Sequence, residues 1–163
     1  MTQEDKQLLL KDLCARLLYG VKGRYCLYDS KGNLTDWGNE PEIVENIDLQ
    51  REKIWTDGTV QGYYLDEFKP FLRPMSSMTE EEIEEYRNLS DEVIGSYGPY
   101  HREFIAHCVR LGIKPDNPHE CVDDLLNMEA IDWLIEHHFD YRGLIPMGLA
   151  LEAPEGMYDE TLV

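Results

Sequence analysis

The stretch VKGRYCLYDSKGNLTDWG, Val21 to Gly38, decides the fold. Two short runs rich in aromatic and β-branched residues, VKGRYCLYD and LTDWG, flank DSKGN, and Asp29 to Asn33 supply the turn residues of a hairpin. Working towards the C-terminus, EIVENIDL, REKIWTDG with Asp57-Gly58 as a second turn, and TVQGYYLDE repeat the pattern. Runs this short and closely spaced suit an antiparallel sheet or a small open barrel, and leave no room for parallel crossovers.

Upstream, MTQEDKQLLLKDLCARLLYG reads as a helix: Thr2 caps it with Asp5 three residues later, Leu9 or Leu10, Leu13 and Leu17 repeat at helical spacing, and Gly20 stops it. Downstream, FKPFLRPMSS carries Pro70 and Pro74, which forbid a continuing helix or a central strand and mark a connector. Helices then take over. In SSMTEEEIEEY, Thr79 and Glu82 make a capping box and Met78 with Ile83 a hydrophobic staple. A further helix starts near Tyr100, with Phe104, Ile105, Cys108 and Leu111 on one face; Asn117 and Pro118 start a short one, and Asn127 caps the last, Glu129 to His138. GLALEAP suits an edge strand or a docked extended segment. The chain therefore reads as α+β: an N-terminal helix with a small antiparallel β-sheet or open barrel over residues 1–70, followed by a mostly helical second half over residues 71–163 with an extended tail, the two sharing one core.

The 163 residues fit one ordinary domain, and 42% hydrophobic content places them in the globular range. No apolar run approaches the ~18–20 residues needed to span a bilayer, and Cys14, Cys26, Cys108 and Cys121 form no CxxC pair. Both features point to a cytoplasmic protein with reduced thiols and no membrane partner. Thirty-three acids against fifteen bases give a net charge of −18. Between Pro115 and Tyr141 there are eight acids and no Lys or Arg, a composition that repels phosphate backbones, so direct nucleic-acid binding is not expected.

No phosphate loop, dinucleotide fingerprint, HExxH or nucleophile elbow is present, so nothing in the motifs names a reaction or a cofactor. Cys108, His119, Cys121 and His137 could hold zinc, but none of the cysteines form the tight ligand pair that structural sites use. The C-terminal helix ends in EHHFDYRG. His138 continues the stripe of Ile131, Leu134 and Ile135, whereas His137 follows Trp133 by four. Adjacent helical residues diverge by about 100°, so the two histidines read as a helix stop, with Arg142 against the dipole, Gly143 allowing the exit and His137 as the one candidate functional residue. Arg142 could also grip an anionic group.

LLLKDLCARLLYGV, FKPFLRPMSSMTEEE and IDWLIEHHFDYRGLIPMGLALEAPEGMY together resemble a family of small, functionally uncharacterised proteins encoded by phages and mobile elements of gut anaerobic bacteria. The resemblance covers about half the chain and implies a bacterial host cell as context; it implies no activity and no site residue. On this basis the leading expectation is an acidic interaction protein that binds and modulates a host or phage protein, in one version by mimicking nucleic-acid charge. Its candidate contacts are Asp123, Asp124, Glu129, Asp132, Glu136, His137, Asp140 and Arg142. One alternative is a small metal-dependent hydrolase or metal-binding protein using His137, His138 and Asp140. Another is a protein that binds a small ligand or nucleotide.

Overall fold

The computed structural model describes residues 1–38, 40–94 and 128–159. Two compact units divide the chain: Met1–Leu72 with Leu144–Val163, and Arg73–Gly143. Each has its own apolar cluster. The helices read from about Tyr100 to Leu126 lie outside the described residues.

The first unit opens with α1 (Gln3–Arg16), started by the expected capping box: the Asp5 N–H donates to Thr2 Oγ1 at 3.1 Å and the Thr2 N–H to Asp5 Oδ2 at 2.8 Å. Leu9 and Leu13 are fully buried, and Gly20 at φ 66° turns the chain out of the helix. One turn apart on the same helix, Asp12 and Arg16 are also fully buried, joined by two hydrogen bonds of 2.7 and 3.2 Å. Neither charge could be buried without the other, because an unpaired ion in this environment costs several kcal/mol.

Seven strands follow: β1 (Lys22–Tyr28), β2 (Leu34–Trp37), β3 (Glu42–Asp48), β4 (Lys53–Thr56), β5 (Tyr63–Tyr64), β6 (Phe68–Leu72) and β7 (Leu151–Glu152). The sheet order is β5-β4-β3-β1-β6-β7, with β2 on the far end of β1. The Asp29–Asn33 turn closes the β1–β2 hairpin, with the Asp29 carboxylate accepting from the N–H groups of Lys31 and Asn33. Strand β1 pairs first with β3, through Gly23 opposite Glu42, and then with β2, through Cys26 opposite Trp37. On its partner side the chain therefore covers more residues than β1 does, and the excess is absorbed around Gly38. Val21, Val44, Ile54, Leu65, Phe68 and Leu72 meet Leu9 and Leu13 of α1 in one core, joined by Leu144, Leu149 and Ala150 from the C-terminal segment.

Two expectations are overturned here. The sheet is seven-stranded and mixed, because β7 runs parallel to β6, with Phe71 opposite Leu151 and Leu72 opposite Glu152. A parallel partner supplied from far along the sequence leaves no trace in strand spacing. Nor are the described residues of the second half mostly helical: they form two helices, α2 (Glu80–Ile94) and α3 (Met128–Glu136), followed by turns and β7.

The reading of FKPFL as a connector also fails, since β6 lies between β1 and β7 with Pro70 inside it. The Phe71 carbonyl points towards β1, where it accepts from the Tyr158 hydroxyl at 2.9 Å. By the alternation of a strand, Pro70 then turns its missing N–H the other way, one residue before the pairing with β7 begins. Gly23 sits opposite Pro70, and a Cβ there would lie 2.3 Å from the Phe68 ring, so only glycine lets the two strands close. Just beyond that pair the Tyr158 hydroxyl also accepts from the Lys22 N–H at 3.1 Å, standing in for the next rung of the β1–β6 ladder. Burial pushes the Tyr158 phenol well above its ordinary range, so it stays a donor at any accessible pH.

Tyr158→Phe removes that bridge and leaves a backbone donor and acceptor facing each other unpaired. The expected loss is about 1–3 kcal/mol in urea unfolding, with faster hydrogen exchange at the Lys22 amide; unchanged stability would mean that the two strands close directly without the hydroxyl.

Candidate functional site

The second unit is built around Arg73. Its N–H donates to the His138 carbonyl and its own carbonyl accepts from the Asp140 N–H, both at 2.8 Å, forming a parallel bridge opposite Phe139. The guanidinium donates to both oxygens of Glu82, at 2.7 and 2.9 Å, and lies over the Phe139 ring 4.2 Å from its centre. Glu82 is at the same time the third residue of α2, accepting from the Thr79 N–H at 2.8 Å while its own N–H donates to Thr79 Oγ1 at 3.2 Å. The expected capping box is present, and Met78 and Ile83 of the staple are both buried. Partial burial alone would raise the Glu82 pKa, but Arg73 and the Thr79 N–H outweigh it and hold the carboxyl below its ordinary value.

Helix α3 ends as its sequence suggests, through a different residue. The His138 N–H donates to the Ile135 carbonyl and the Phe139 N–H to the Leu134 carbonyl, the paired bonds of a Schellman turn, with His138 at φ 59° in the left-handed position usually given to glycine. Leu134 and Phe139 are both fully buried in the cluster of this unit, the apolar contact that accompanies such a turn. Gly143, read as the exit, has φ 76° but lies five residues further along. His137 stacks on Trp133 with ring centres 4.1 Å apart, and its Nδ1–H donates to the Trp133 carbonyl at 2.9 Å, which fixes the tautomer. Trp133 in turn stacks on Phe139 at 5.7 Å and meets Tyr86 at 5.9 Å.

The sequence candidates scatter around this centre. Asp132 and Glu136 are exposed on α3, one turn apart; His137 is half-buried; Asp140 is buried; Arg142 is half-buried with its guanidinium over the Tyr141 ring at 4.7 Å. His138 is buried and directed by its own backbone conformation, not paired with His137. Asp123, Asp124, Cys108, His119 and Cys121 lie outside the described residues, as does the side chain of Glu129. Among the described residues no group of three His, Cys, Asp or Glu side chains could hold a metal ion, so His137, His138 and Asp140 do not form a donor set there.

Two arrangements were not foreseen. Arg73 was read as part of a connector, and its separation of nine residues from Glu82 marks no pair. In the first unit, Glu42 accepts from the hydroxyls of Thr56 and Tyr63, the latter at 3.2 Å, beside a stack of Tyr25, Tyr63 and Phe68. Burial, with Glu42 adding to it, pushes the Tyr63 phenol up to about 12. Chemically, both arrangements are engaged: their charges are already met by internal partners. What the second unit does present outward is acid. Glu81, Glu84 and Glu85 on α2 and Asp132 and Glu136 on α3 are exposed, and among the described residues of these helices one base, Arg87, faces them, 3.4 Å from Glu84.

No family model, no curated protein and no solved structure matches this chain.

The Arg73–Glu82 pair carries a pH signature. Because the Glu82 pKa is lowered on folding, its contribution is complete above the unfolded value of about 4.3 and is lost as pH falls through the folded value. Glu82→Gln should therefore cost about 2 kcal/mol at pH 7, and the gap to the parent chain should shrink steadily in urea melts between pH 5 and pH 3. A gap independent of pH would show that the charge contributes nothing.

Proposed function

We propose that the protein is an acidic interaction protein, not an enzyme, that works in the cytoplasm of a bacterial host by binding and modulating a basic host or phage protein. One observation carries this reading: exposed carboxylates on α2 and α3 stand on a unit in which, among the described residues, Arg73 is engaged by Glu82 and Arg142 lies over Tyr141. A surface of that kind attracts basic partners over a Debye length of about 8–10 Å and repels nucleic acid. The net charge of −18 acts in the same direction.

The more specific version is charge mimicry. Carboxylates held on rigid helices occupy the groove in which a nucleic-acid-binding protein holds phosphates, and the steering that favours encounter with nucleic acid favours encounter with the mimic. The helices suit this role because α2 is fixed at its first turn by the capping box and the Arg73 fork, so its outward glutamates keep their spacing. Among the described residues no helix is long and apolar enough to cross a membrane, which agrees with a partner met in solution.

The test is affinity capture from host lysate with the full chain and with a variant carrying Glu81→Lys, Glu85→Lys, Asp132→Lys and Glu136→Lys. All four side chains are exposed, so the fold should survive. The parent chain should retain basic proteins at about 0.1 M salt and lose them at about 0.5 M, and the variant should retain none. Retention that ignores both the reversal and the salt would sink the proposal.

A further inference from the structure

Among the described residues no strand pairs with the outer edge of β2. β5 and β7, at the two ends of the sheet order, are two residues each, and edges that short give an incoming strand little to pair with. β2 is four residues long and pairs with β1 alone. The Gly38 N–H donates to the Tyr25 carbonyl at 2.9 Å, so the ladder alternation turns the N–H and C=O of Trp37 away from β1. Among the described residues no strand takes them.

The side chains on this ribbon are as open as its backbone. Leu27, Tyr28 and Leu34 are 42%, 45% and 48% exposed; Tyr28 and Leu34 are cross-strand partners, and Leu27 lies opposite Asp36. The β6 partner of β1 stops at Tyr25, so among the described residues the ribbon from Cys26 onward has no strand on that side, and the Tyr28 hydroxyl donates to the Asp66 carbonyl at 2.9 Å. Asp29, Asp36 and Asp66 are exposed around these apolar residues, against one exposed base in the hairpin, Lys31.

We propose that the outer edge of β2 binds an extended, basic segment of a partner protein as an added strand. Its backbone pairs along β2, its apolar side chains cover Tyr28 and Leu34 on one face of the ribbon, and its lysines or arginines meet Asp36 on the opposite face, with Asp29 and Asp66 adding to the acidic surroundings. A second copy of this chain is the wrong occupant, since it brings the same carboxylates edge to edge and a further net charge of −18. The inference shares with the preceding reading only that the partner is a basic protein; it makes no use of the carboxylates of α2 and α3.

The probe is a fluorescent synthetic peptide of about ten residues alternating lysine and valine, titrated with the full chain at about 0.1 M salt and followed by anisotropy. Saturable binding is expected, with amide shift changes in NMR confined to the β2 ribbon. A peptide N-methylated at its valines should bind at least about tenfold more weakly, since it cannot pair as a strand. Leu34→Ser with Asp36→Lys, both exposed positions on β2, should weaken binding comparably at an unchanged circular dichroism spectrum. The helix charge-reversal variant should bind the peptide as the parent does. Three outcomes overturn the proposal: no saturation, equal affinity for the N-methylated peptide, or binding that the helix reversal abolishes and the β2 substitutions do not. The last of these would leave the acidic-helix reading standing alone. Concentration-dependent sedimentation of the chain by itself, with shifts at the same amides, would make a second copy the occupant and overturn it as well.

Discussion

A proline in a central strand is the constraint on which the first unit depends. β6 must pair with β1 on one side and β7 on the other, yet Pro70 brings no N–H to either ladder. The solution is a set of local choices that make sense only together. Pro70 faces the side where β7 has not yet begun, Gly23 allows β1 to close over the Phe68 ring, and Tyr158 bridges the rung that would follow. The C-terminal segment is thereby tied to β1 and β6 as well as to the core through Leu144, Leu149 and Ala150; the Lys22 ammonium adds a hydrogen bond to the Met157 carbonyl at 3.1 Å. A segment far away in sequence is in this way a structural part of the first sheet.

The second unit solves a different problem with one side chain. Arg73 uses its backbone to hold the segment after α3, and its guanidinium to hold the start of α2. Glu82 answers two donors, so one carboxylate both caps a helix and neutralises the arginine. Coupling the cap to the ion pair makes each more specific than it would be alone, because the carboxylate is already oriented when the guanidinium arrives. His138 shows the same economy under strain: a non-glycine residue in the left-handed region costs of order 1–2 kcal/mol, and the buried Leu134 and Phe139 side chains around the turn supply the packing that keeps it there.

What was legible in the sequence was local. The capping boxes at Thr2 and Thr79 and the Asp29–Asn33 turn depend on residues within five positions of one another, and the structure places them as read; α3 stops near where the sequence put its end, but on His138 and not on Gly143. What failed was long-range. β7 is parallel to β6 from some eighty residues away, and the acceptance of Pro70 depends on where β7 begins and on Gly23 opposite it, neither of them a neighbour in sequence. Prolines argue against a central strand as a rule about unsatisfied ladders, and here Pro70 turns its missing N–H to the side where β7 has not yet begun, so no rung is left open. The candidate site was half legible for the same reason. His137 on Trp133 is a spacing of four and was visible, whereas Arg73 reaching Glu82 and Phe139 crosses secondary-structure elements and was not.

The distribution of charge, finally, limits what the surface can recognise. Two ion pairs hold charge inside the described residues: Asp12 with Arg16 in the first unit, and the largely buried Arg73 with Glu82 in the second. Internal pairs cancel, so the surplus of acid has to be displayed outward. A chain carrying −18 repels its own copies and nucleic acid alike, and the repulsion grows as two such surfaces approach within a Debye length of about 8–10 Å. Exposed apolar residues at Leu27, Tyr28 and Leu34 would ordinarily be a route to self-association along an open strand edge. Here the surrounding acids restrict that edge to partners of opposite charge. The same electrostatics that would keep the free protein soluble would thus act as the filter on what it binds.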